Sequence, residues 1–322
     1  MPYRFPDPAK RHEEPFGWWG YRSEPPSPLS IVELIARGSL DARTAAFLWM
    51  AMARRATVLV IGVPPEAGKT TTLTALLAFL PPDIRLIYLR GWYERFDFLG
   101  SADPARSYLL CNEISPHLPT YLWGPGVRRL FEAVRAGYGV GATLHAESAA
   151  DAFRTLTSFP LEVPPDLLCG IDLVLTLGVG TAPSGETLRR LVRVEVIHDQ
   201  DGQPDPETIA ERDVLRGPLD SRPGRLTGVL ATRFGYDAEV AIAEMARRER
   251  FLDRLREDGV LDRGRRARRD PGVCGRVRRQ TSCVMRHASC VNFPLTPDPS
   301  RTEPTRGEGR KTKHGTRNTH HG

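Results

Sequence analysis

No stretch of the 322 residues approaches the ~18 consecutive apolar residues that a membrane-spanning helix requires. The opening residues, MPYRFPDPAKRHEEPFGWWG, lack the apolar core of a secretory signal, so a cytoplasmic protein is expected. Cysteine is scarce: Cys111, Cys169, Cys274, Cys283 and Cys290 include no C-x-x-C pair, which argues against a disulfide framework in a chain of this size. Cys274, Cys283 and Cys290 lie near His287, but their spacing fits no zinc pattern. Internal repeats are also absent.

The positive charge is not where a nucleic-acid groove would need it. Of 45 Lys and Arg and 39 Asp and Glu, fifteen and four fall in Arg263–Gly322, which leaves residues 1–262 with a net charge of −5. Nucleic acid is therefore not an expected partner of the folded part. The basic segment 263–322 is Pro- and Gly-rich and almost without aromatics, and it is expected to be a disordered tail. It reads either as a basic arm for anionic partners or as an extension with no selected role.

What is present is an alternation of short apolar runs and helical patterns. TVLVI (57–61), IRLIYL (84–89), SYLLC (107–111), VGATL (140–144) and IDLVLTL (171–177) read as buried strands, and LRRLVRVEVI (188–197) as a polar-alternating edge strand. With helices between them they predict an α/β fold, a mostly parallel sheet covered on both faces. Before this core, residues 1–56 hold two short helices, capped by Ser30 and Asp41. After the acidic loop DQDGQPDPE (199–207), YDAEVAIAEMARRERFLDRLRE predicts a C-terminal helical segment. The expected organisation is thus 1–56, a core of 57–262, and the tail.

The functional signal is GVPPEAGKTTT, residues 62–72. A phosphate-binding loop reads G-x-x-x-x-G-K-[ST], yet Gly62 and Gly68 enclose five residues. Either Val63 holds the first glycine's place or the loop is one residue longer. The strand before it and the helix after it are the context the motif demands. The backbone N–H groups of Ala67, Gly68, Lys69, Thr70 and Thr71 are the candidate phosphate cradle, Lys69 reaches the β- and γ-phosphates, and the Thr70 hydroxyl suits Mg²⁺. Glu113, after the SYLLC strand, is the candidate acid for Mg²⁺ (through water) or for the attacking water, and His145 ends a neighbouring strand. Arg128, Arg129 and Arg135 are expected on a solvated helix face, and Trp92, Tyr93, Tyr121 and Trp123 to pack.

GKTTTLTALLAFLPPDIRLIYL, the Glu113 strand and GYGVGATLHAESAADAFRTL together resemble the motor ATPases of type II and type IV secretion systems, type IV pili and archaella, over about Ser30 to Asp262. That resemblance implies a RecA-like P-loop ATPase core, ATP and Mg²⁺ as cofactors, a homo-oligomeric (hexameric) ring, and a membrane-embedded secretion or pilus platform as partner. By position it makes Lys69 and Thr70 Walker A, Glu113 the Walker B acid, Glu94 the remaining acidic-box carboxylate, and His145 the histidine box. Departures stand beside it: Arg90 and Gly91 replace the acid pair, Asn112 replaces the glycine before Glu113, and the stretch from Glu94 to Glu113 is short. They weigh against fast hydrolysis but leave the cradle. The alternatives carried forward are a nucleotide-binding regulator or scaffold without turnover, and a nucleic-acid-linked ATPase using the tail.

Overall fold

The structure, a computed structural model, describes residues 12–13, 29–217 and 219–260. The basic tail and three of the five cysteines lie outside them, and Cys111 and Cys169 are buried free thiols.

Two helices come first, α1 (Ile31–Ala36) and α2 (Ala42–Ala53). Ser30 and Glu33 form a reciprocal capping box on α1, and the Asp41 carboxylate accepts the Thr44 N–H of α2. There follow β1 (Val58–Ile61), α3 (Lys69–Leu76), β2 (Arg85–Tyr88), β3 (Ser107–Ile114), α4 (Pro125–Arg135), β4 (Gly139–Leu144), α5 (Ala149–Thr157), α6 (Pro165–Leu168) and β5 (Leu173–Thr181). The described residues end in β6 (Thr187–Gln200), β7 (Gln203–Glu211), β8 (Asp220–Ser221), α7 (Pro223–Thr232) and α8 (Ala238–Glu257).

One sheet of order β2-β3-β4-β1-β5-β6-β7-β8 organises the molecule. The first five strands in that order are parallel, and β6, β7 and β8 add on antiparallel. Alternation along each strand splits the core. Val58, Val60, Leu173 and Leu175 face α2, α3 and α8, whereas Leu59, Ile61, Val140 and Val174 face α4, α5 and α6. Because both faces are covered, β1 (VLVI) is apolar and buried throughout and β4 is buried along its whole length.

Helix α2 is buried nearly all round, between the sheet and α8. Its Trp49 stacks on Phe79 at 5.0 Å, and the Arg248 guanidinium lies 4.7 Å over the same indole. Helices α1, α2 and α8 thus share one core with β1, β5 and β6.

Two expectations change. Strand β6 is not an edge, because β7 and β8 lie outside it. The acidic stretch 199–207 is not a loop but a hairpin: Asp201 (φ 55°) and Gly202 (φ 78°) form a turn of the Asp-Gly kind that matches strand twist. Pro204 and Pro206 fall where the outer side of β7 is not reached by β8, which pairs at Ala210 and Glu211, so their missing N–H groups break no ladder bond there.

Candidate functional site

The carboxyl ends of β1, β3 and β4 converge at one edge of the sheet, with β1 between β4 and β5. That edge is where open α/β sheets bind ligands. The loop leaving β1 begins at Gly62, where an added Cβ would stand 2.8 Å from the Leu177 carbonyl oxygen; β5 passes too close for any side chain. The chain then turns: the Ala67 N–H donates to Pro64 O at 3.2 Å, with Pro65 in the second position and Glu66 at φ 61° in the third, the signature of a type II turn. This turn takes up the loop's extra length. It also corrects one expectation, since the Ala67 N–H is committed to Pro64 instead of facing a phosphate.

Gly68 (φ 96°, ψ 15°) caps α3 in the left-handed region, with open space around its Cα. The first intrahelical bond runs from Thr72 N–H to Gly68 O at 2.8 Å. The Lys69, Thr70 and Thr71 N–H groups therefore have no acceptor within the helix, and with Gly68 they form the anion-ready start of α3.

Lys69 is buried, at 6% exposure. Its Nζ donates to Gly62 O at 3.3 Å and lies 3.2 Å from His145 Nε2 and 3.3 Å from Nδ1. Among the described residues no carboxylate pairs with it. Burial pushes the ammonium below its ordinary range, while the charge of Glu113 pulls it back.

His145, just past β4, lies 3.0 Å through Nδ1 from Val63 O. A carbonyl can only accept, so Nδ1 carries a proton in that bond. Nε2 then has two partners to choose between: the Lys69 ammonium, and Glu113 Oε1 at 3.4 Å. The Glu113 side chain is 11% exposed. It sits within β3, where the pairing with β4 shifts register between Cys111 and Ile114, and such a bulge re-aims a side chain. The Thr143 hydroxyl, donating to Asn112 O at 2.6 Å, ties β4 to that bulge.

Glu94 stands outside this group. Its carboxylate accepts the Arg90 N–H at 2.9 Å and the Phe96 N–H at 2.6 Å, and meets His12 Nε2 at 3.2 Å. Burial would raise its pKa, but these bonds outweigh it and hold the group below the usual carboxylate range. Its visible work is to cap the segment after β2. The arginines of α4 have local partners: Arg128 pairs with Glu132, Arg135 with Asp166, and Arg129 reaches Arg95 O and the Phe96 ring. Trp92 (55%) and Tyr93 (67%) are exposed, contrary to the expectation that they pack. Sequence reasoning missed Arg189 of β6, whose Nε donates to Glu66 O at 2.8 Å.

Two solved ATPases align with part of the chain. The VirB11 ATPase of the Brucella suis type IV secretion system, solved with sulphate, aligns at TM-score 0.31 and 22% identity over 49% of this chain and 56% of that one. The Legionella pneumophila ATPase DotB aligns at TM-score 0.35 and 15% identity over 71% of this chain and 60% of that one. No protein-family model matches. Two uncharacterized proteins of Methanocaldococcus jannaschii are related in sequence. MJ0900 is 25% identical over 191 residues, 53% of this chain and 34% of that protein; MJ1287 is 26% identical over 247 residues, 69% and 90%.

Proposed function

We propose that the chain binds Mg-ATP at Gly68–Thr71 and hydrolyses it, as a motor ATPase of the secretion and pilus type. The observation that carries this reading is the convergence of a buried ammonium, an imidazole and a carboxylate on one helix start. Lys69 Nζ lies 3.2 Å from His145 Nε2, and that nitrogen lies 3.4 Å from Glu113 Oε1, next to N–H groups without helical acceptors. A buried cation with no paired carboxylate among the described residues suits a phosphate, whose charge would offset the desolvation of Lys69.

In this reading the Gly68, Lys69, Thr70 and Thr71 N–H groups and the Lys69 ammonium hold the β- and γ-phosphates. The donor set also fits Mg²⁺: the Thr70 hydroxyl would be its direct protein ligand and Glu113 would hold it through water, the sparse protein share typical of Mg²⁺ on a nucleotide. When bound, the ion neutralises charge on the phosphate oxygens. Glu113 also orients the attacking water. A γ-phosphate that draws Lys69 away frees Nε2 of His145, so His145 senses the γ-phosphate. The sequence resemblance adds a hexameric ring and a membrane-embedded platform as the partners to seek. Among the described residues no helix is long and apolar enough to cross a membrane.

One observation favours a binding-only protein instead: the acidic-box carboxylate Glu94 is committed to capping. Phosphate release from Mg-ATP by the full chain, beside its Lys69→Ala variant, separates the two. Release that disappears in the variant supports the ATPase; nucleotide binding without release in either supports the regulator.

A further inference from the structure

The β5–β6 hairpin does not stop where the parallel sheet stops. Strand β1 pairs with β5 as far as Ile61↔Thr176, whereas β5 and β6 stay paired from Leu177↔Leu191 to Thr181↔Thr187. This overhang runs beside the loop that leaves β1 and touches it twice. The Leu177 carbonyl crowds Gly62, and the Arg189 guanidinium, opposite Val179 in the hairpin, donates through Nε to Glu66 O. The two residues of that bond are 123 apart in sequence.

What the bond holds is unusual. Glu66 occupies the third position of the Pro64–Ala67 turn at φ 61°, a conformation favoured by glycine and disfavoured for a residue with a side chain. Pro65 suits the second position of type I and type II turns equally, so it does not choose between them. A glutamate at the third position favours type I. The observed turn is the other one, and its last residue leads directly into Gly68 and the N–H groups of α3. Arg189, at an exposed position, donates to the Glu66 carbonyl, which shares a peptide group with the Ala67 N–H that closes the turn.

Resting on the nucleotide-site reading above, we propose that Arg189 is a positioning residue of the phosphate loop: by holding the Glu66 carbonyl, it keeps residues 64–67 in the turn that aims the Gly68–Thr71 amides. Arg189 touches no nucleotide in this scheme. It acts through Glu66, and a residue that prefers positive φ at position 66 makes it dispensable.

The test uses the full chain as wild type, Arg189→Ala, Arg189→Ala with Glu66→Gly, and Lys69→Ala. Two quantities are read: the Kd for Mg-ATP, and hydrogen exchange of the Ala67 amide without nucleotide. Arg189→Ala is expected to weaken Mg-ATP binding about tenfold, the scale of one charge-assisted hydrogen bond, and to speed exchange at Ala67. Glu66→Gly in the same chain is expected to restore both. Unchanged exchange at Ala67 in Arg189→Ala overturns the proposal, and so does a loss that Glu66→Gly fails to rescue. If wild type and Lys69→Ala both fail to bind Mg-ATP, the nucleotide-site reading is what has failed; the exchange comparison, made without nucleotide, still decides whether Arg189 sets the turn.

Discussion

A buried ammonium and a buried carboxylate have opposite histories in this molecule. Lys69 is taken out of water and given a carbonyl and an imidazole, neither of which carries a full negative charge, and its pKa falls through burial. Glu94 is buried too, yet two backbone N–H groups and His12 complete its shell, and its pKa falls below the usual range. The first is open to an incoming anion; the second is already satisfied. Because the folded-state pKa of Glu94 is depressed, its contribution to stability is present above the ordinary carboxylate value and is lost as pH falls through the folded one. Glu94→Gln is expected to lower unfolding stability by about 1–3 kcal/mol at pH 7, with the gap to wild type narrowing as pH drops below about 4. Urea melts of both proteins across that range check it; a gap independent of pH would contradict the assignment. The side chains of Lys69, His145 and Glu113, which the structure brings together, were legible as candidates because a G-K-T after an apolar strand and acids or histidines at strand ends follow local rules. It hid Glu94's commitment and the Ala67 turn, which depend on backbone geometry.

At the scale of elements, the two glycines of the loop serve different ends. Gly68 permits a left-handed helix cap, whereas Gly62 lets β5 pass close to the end of β1. The five-residue spacing that looks irregular in the sequence is Val63 plus the four-residue turn Pro64–Ala67, set between a packing glycine and a capping glycine. Gly62→Ala places a Cβ 2.8 Å from a backbone carbonyl, so β1 and β5 must part. Destabilisation of about 1–3 kcal/mol is expected in chemical denaturation, and an unchanged midpoint would sink the packing explanation. The turn region of the β6–β7 hairpin reads as a loop in the sequence because prolines and acids are common in loops. The Asp201-Gly202 pair was the local signal for it. Arg189 had no such signal, since nothing near it in sequence points to Glu66.

Across the whole molecule, the chain closes on itself. Helix α8, from the end of the described chain, packs on α2 from its beginning, and Trp49 joins them through Phe79, Phe251 and Arg248. The helices before β1 and the helix after the sheet are therefore expected to unfold together with the core. Trp49→Ala should lower stability by about 3–5 kcal/mol while tryptophan fluorescence and far-UV circular dichroism still report one transition. Two separated transitions in the wild type would show that the helical segments fold apart from the sheet.

The central claim is that the start of α3 is a nucleotide site built on Lys69. The direct test is a titration of the full chain with Mg-ATP, calorimetric or with a fluorescent analogue, repeated with Lys69→Ala. Saturable binding by the wild type that is weakened at least about a hundredfold in the variant, the effect of removing a buried charge-assisted contact, is the predicted result. Equal affinity in the two proteins, or no binding by a folded wild type, would contradict it.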